Sequence, residues 1–85
     1  MHKVVGSIEG HDVIYVPEKD ILFCKNTALK RSILNDFFYG SIDRISIPEK
    51  NIILYKDSSH VSLGCLSLSH SEAKNILNQT KNGQN

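Results

Sequence analysis

DVIYVPEKDILFCKN, residues 12–26, returns 31 positions later as DRISIPEKNIILYKD, residues 43–57, with seven of fifteen positions identical. Each copy is an alternating arm, a connection led by proline and a second apolar arm, which is the pattern of a β-hairpin. Pro17 and Pro48 pre-set φ for a turn and cannot donate to a ladder, so both belong at strand ends. With Pro17–Asp20 as the loop, Val16 faces Ile21 and Ile14 faces Phe23. In the second copy Ile47 faces Ile52 and Ile45 faces Leu54. Asp12 then faces Lys25, and Asp43 faces Lys56, at the open ends. Exposed pairs of this kind are worth only about 0–1 kcal/mol, so their use is to discourage a slipped register.

The copies diverge on the opposite face. In the first it reads Val13, Tyr15, Leu22, Cys24; in the second Arg44, Ser46, Ile53, Tyr55. A strand apolar on both faces is covered on both. The first hairpin is therefore expected centrally, under helices or an interface, and the second with one face wet.

Around the hairpins, KVVGSI (3–8) is a β run closed by Glu9-Gly10. NTALKRSILNDFFYG reads as a helix capped at Asn26 or Thr27 and stopped at Gly40, with Leu29, Ile33 and Phe37 at fourfold spacing. HVSLGCLSL (60–68) reads as one strand whose phase change calls for a bulge at Gly64-Cys65. SHSE (69–72) is a capping box that opens a helix with Ala73, Ile76, Leu77 and Thr80 on one face. These segments predict a two-layer α+β domain, residues 1–77. Its mostly antiparallel sheet has about six strands, in the order βββα-βββα, with two helices packed on it. Residues 78–85 are expected to be a frayed polar tail. The symmetry lies in the hairpins, because an offset of 31 sets the first helix against the last strand.

Composition narrows the function classes. The 85 residues are 40% hydrophobic and 22% charged, an ordinary globular balance with a thin core that favours burial against a second copy or a partner. Ten basic and nine acidic residues leave a net charge of +1, without the basic excess of a nucleic-acid binder. No apolar run reaches the ~18 residues of a membrane span, and the N-terminus holds no signal-peptide core, so a soluble cytoplasmic protein is expected. Cys24 and Cys65 are then expected as reduced thiols packed in strands.

Chemistry-bearing motifs are sparse. His2, His11, Cys24, His60, Cys65 and His70 show no zinc spacing, so no metal or other cofactor is expected. Cys65 has no nucleophile elbow, Glu18 and Glu49 sit at hairpin tips where nothing desolvates them, and no phosphate loop is present. A non-enzymatic protein-binding module is the expectation, with Tyr15, Leu22, Phe38, Tyr39, Arg44, Ile53 and Tyr55 as interface candidates. Enrichment in Ile, Asn, Lys and Ser fits an AT-rich bacterial or phage genome. An accessory protein that inhibits or regulates a larger host protein, itself a homodimer, fits that setting. The alternatives are a nucleic-acid regulator using Lys30, Arg31 and Arg44, and a small-ligand sensor with its pocket between sheet and helices.

Overall fold

In the computed structural model, which describes residues 2–82, the β-branched N-terminal run is the first strand, β1 (Lys3–Ile8). Glu9 and Gly10 follow at φ 51° and 82°, and two left-handed residues in succession make the tight turn that returns the chain as β2 (His11–Val16). β3 (Ile21–Cys24) and β4 (Thr27–Lys30) complete an antiparallel sheet in the order β1-β2-β3-β4, and α1 (Arg31–Tyr39) follows. The chain then repeats the plan. β5 (Arg44–Ile47), β6 (Ile52–Lys56), β7 (His60–Leu63) and β8 (Leu66–Ser69) form a second antiparallel sheet in chain order, before α2 (His70–Asn82). The described residues therefore form a small α+β domain of two four-stranded sheets and two helices, ββββα-ββββα.

Both hairpins of the doubled phrase have the expected register, Val16 opposite Ile21 and Ile47 opposite Ile52. Asp20 and Asn51 close them at φ 55° and 54°, a left-handed conformation that Asp and Asn tolerate better than most residues. At the open end of the second hairpin Asp43 faces Lys56 as expected, accepting its N–H at 3.0 Å, but the charges do not pair. Lys25 lies in the next turn at φ 55°, and the Lys56 ammonium donates to the carbonyls of Phe37, Phe38 and Gly40 at the end of α1, so neither expected acid–base pair forms. A lysine there meets the unpaired carbonyls and negative pole of a helix.

The phrase is also used in opposite senses. In the first copy Val13, Tyr15, Leu22 and Cys24 are buried while Phe23 is exposed; in the second Leu54 is buried while Arg44, Ser46, Ile53 and Tyr55 are exposed. One pattern supplies two hairpins with opposite faces inward.

Four expectations are corrected. There are eight strands in two sheets, not about six in one. Residues 27–30 are strand, because Leu29 pairs with Leu22 and Ala28 with Phe23; the helix begins at Arg31, whose N–H donates to the Asp20 carbonyl at 2.9 Å in place of a cap at Asn26 or Thr27. Residues 60–68 are not one bulged strand. Gly64, at φ 67°, and Cys65 form a two-residue turn between Leu63 and Leu66, which leaves Cys65 exposed and only Cys24 buried in a strand. The capping box is present: Ser69 N–H donates to Glu72 Oε1 at 2.7 Å and Glu72 N–H to Ser69 Oγ at 3.2 Å. The helix it opens runs through Asn82 with Thr80 buried, so the expected tail from residue 78 is helical up to there; residues 83–85 lie outside the described residues.

The structural repeat has an offset of 39, not 31. β3, β4 and α1 return as β7, β8 and α2 at that distance, and so do the buried pairs Leu22/Val61, Cys24/Leu63, Leu29/Leu68, Leu34/Ala73 and Phe37/Ile76. Each helix keeps contact with its own unit, α1 with β4 and α2 with β7 and β8, and also reaches the other. α2 lies on β1, so close that a Cβ at Gly6 would stand 3.0 Å from Ile76 Cγ1. α1 lies beside β5, where Ile33 and Phe37 share a groove with Ile45 and Ile47, and Lys56 of β6 caps its end. Gly40 is required at that end, since a Cβ would meet the Asp36 carbonyl oxygen at 2.6 Å. Both sheets and both helices contribute to one continuous core, and Glu9 Oε2 ties them further by accepting the Ser67 N–H at 2.7 Å.

Candidate protein interface

The largest exposed apolar side chains fall into two groups. On the outer face of the first sheet, Val4, Ile14, Phe23 and Ala28 are successive cross-strand partners, a row across all four strands with Val4 and Phe23 open to solvent. The second group comes from one stretch of chain, residues 39–55: Tyr39 and Ile42 are each 60% exposed, Ile53 47% and Tyr55 48%.

The β5–β6 hairpin sets the geometry of this second group. Arg44 pairs with Tyr55 and Ser46 with Ile53, so all four side chains share the outer face of the sheet, and Ser62 and Ser67 continue the Arg44–Tyr55 row across β7 and β8. At the neighbouring end of α1, the Phe38 ring meets Tyr39 edge-on at 4.9 Å and His70 edge-on at 5.4 Å, so Phe38 is half-buried and Tyr39 reaches solvent. Of the seven interface candidates, Arg44, Ile53 and Tyr55 thus come together on one face, and Phe38 and Tyr39 end α1. Tyr15 and Leu22 do not join them: at 1% and 6% exposure they belong to the core.

Tyr15 has a structural role instead. Its hydroxyl donates to Asp20 Oδ1 at 2.6 Å, and Arg31 Nε donates to the same oxygen at 2.9 Å, which joins the first hairpin to the start of α1. Burial pushes the Asp20 carboxyl up, but the hydrogen bonds from Arg31 and Tyr15 and the Arg31 charge outweigh it and hold the carboxyl below its ordinary value of 3.8. Of the three cations considered for nucleic acid, Arg31 is committed to this pair, while Lys30 and Arg44 stand on different sheets.

Ser59, His60 and Asp57 meet in the β6–β7 turn, a combination that invites comparison with a nucleophile set. The arrangement is different. Asp57 Oδ1 accepts the backbone N–H groups of Ser59 and His60, both at 2.8 Å, and the Ser59 hydroxyl at 3.2 Å. Those backbone bonds hold its carboxyl below the ordinary range, and it does not touch the imidazole that it would have to orient in a triad. This is a carboxylate closing a turn. Among the described residues no three His, Cys, Asp or Glu side chains group as a metal would require. The void inside the core holds about 20 Å³ between Leu22, Leu29, Leu63 and Leu68, room for no more than about one water, far below the ~300 Å³ of a small-molecule site. No helix among the described residues is long and apolar enough to cross a membrane.

No family model matches this chain, and neither a curated protein nor a solved structure matches it. The reading of function therefore rests on the geometry alone.

Proposed function

We propose that this protein is a non-enzymatic protein-binding module that docks on a larger partner through the end of the molecule built by residues 39–55. One observation carries the reading: Tyr39, Ile42, Ile53 and Tyr55, four of the large exposed apolar side chains, come from this single stretch, with Arg44 beside them. Aromatic residues and arginine are the side chains that most often dominate binding energy at interfaces. An inhibitor or regulator acts in this way, by covering a surface of its target. Capture on the immobilised protein from a bacterial lysate is the test. The expected result is one stoichiometric partner retained by the wild type and by Val4→Ser, and lost with Tyr55→Ala combined with Ile53→Ser. Retention that ignores the double substitution would refute the face.

The apolar row Val4–Ile14–Phe23–Ala28 favours an accompanying homodimer, since an exposed sheet face of this kind is covered when two copies pack sheet on sheet. Light scattering at high micromolar concentration should give the mass of two chains, and of one chain for Phe23→Lys.

A further inference from the structure

β5 is the end strand of its sheet, bonded on one side to β6 only. Its backbone can be read group by group. The Lys56 N–H donates to the Asp43 carbonyl at 3.0 Å, so that directly opposed pair is hydrogen-bonded, and in an antiparallel ladder such pairs alternate with non-bonded ones. Ile45 and Ile47 therefore direct their N–H and C=O groups to β6. Arg44 and Ser46 direct theirs outward, to the open edge.

Beside this edge runs the groove between β5 and α1. Its lining is apolar, from Ile33 and Phe37 of α1, Ile42 of the connection, and Ile45 and Ile47 of β5. Asp36 is the one charged residue that lines it, and it is exposed. An unpaired strand edge next to an apolar groove is the combination by which a sheet accepts an added strand. The backbone groups supply affinity, and the groove reads alternate side chains.

We infer that β5 receives an extended segment of the partner as a fifth strand of the second sheet, its backbone pairing with Arg44 and Ser46 and its alternate apolar side chains entering the groove of Ile33, Phe37 and Ile42. This inference rests on the protein-binding reading and names its mode. The charges specify the segment further. A residue set opposite Arg44 points to the outer face, where a carboxylate forms the favourable cross-strand pair. On the groove side Asp36 matches a lysine or arginine. The occupant is thus a strand with apolar residues at alternate positions, an acidic residue on its outer face and a basic one beside α1.

A phage-displayed library of random peptides selected on the intact protein tests this, with the best binder synthesised as the probe. Enriched peptides should alternate apolar and polar residues. Binding of the probe should slow hydrogen exchange at the Arg44 and Ser46 amides. Ser46→Pro removes a donor that faces the open edge and not β6, a position where a sheet tolerates proline; it should keep the thermal midpoint and weaken the probe about tenfold or more. Should that variant fail to fold, the exchange measurement on the wild type decides alone. Peptides with apolar residues at helical spacing, no enrichment, or a bound probe that leaves the Arg44 and Ser46 amides unprotected would overturn strand addition. Partner capture lost with Tyr55→Ala and Ile53→Ser but kept with Ser46→Pro would overturn it too, while leaving the protein-binding reading in place; capture indifferent to both would end that reading as well.

Discussion

Asp20 and Asn51 hold the same place in the two copies of the doubled phrase and the same left-handed backbone, yet only Asp20 is joined to Tyr15 and an arginine. Asn51 shows that asparagine fits the turn, so Asp20→Asn removes the charge and leaves the backbone alone. At neutral pH the substitution should lower stability by about 1–2 kcal/mol, the range for charge-assisted hydrogen bonds discounted for a partly exposed pair. The carboxyl titrates below 3.8 in the folded protein, so its contribution is fully present above that value and is lost as pH falls through the lower folded value. Urea unfolding of both proteins should therefore show the gap closing as pH falls below 3.8. A gap that stays constant from neutral to acid would assign the loss to the turn. The triad was hidden in the sequence for a physical reason. Tyr15 reads as a candidate for a surface and Asp20 as a turn residue until the position of Arg31 at the start of a helix is known, and the sequence pattern alone places Arg31 a turn inside that helix.

At the scale of elements, the hairpins were legible because proline, an alternating arm and a fixed loop length leave one register. The two short hairpins were not. Leu29, Ile33 and Phe37 satisfy a helical period, but Leu29 also satisfies a strand opposite Leu22, and tertiary pairing decided between them. The turns at Lys25-Asn26 and Gly64-Cys65 carry weak signals, one with a lysine at positive φ, the other with a glycine that equally marks a bulge. The proposed docking face was legible in part. Arg44, Ile53 and Tyr55 follow from register alone, whereas Ile42 and the groove depend on where α1 lies. Lys56 is the element-scale link between the two halves, its ammonium on three carbonyls at the end of α1 and 5.2 Å from the Phe37 ring centre. Lys56→Met keeps most of the side chain's bulk and removes the charge. It should cost about 1–2 kcal/mol in thermal or urea unfolding, and exchange at the C-terminal turn of α1 should quicken first. Unchanged stability would show that water replaces the cap without loss.

Across the whole molecule, residue identity and structural equivalence run at different offsets. Identity at 31 records turn chemistry, which recurs wherever a hairpin needs it; equivalence at 39 records burial, which keeps position and apolar character but neither size nor identity, as Cys24/Leu63 and Leu34/Ala73 show. Because α2 lies on β1, α1 shares a groove with β5 and both units build one core, residues 1–41 and 42–85 made as separate chains should each lack fixed structure by circular dichroism and NMR, and should gain it on mixing. Either half folded alone would contradict the shared packing.

The seat of α2 on β1 also bears on synthesis. Within this unit β1 leaves the ribosome first and α2 last, so the earliest strand cannot complete its burial until every other element has emerged. A nascent chain stalled before His70 would carry an assembled meander with one flank bare, a sticky intermediate of the kind chaperones hold. The speed at which the last helix of this unit appears thereby sets how long that flank stays open.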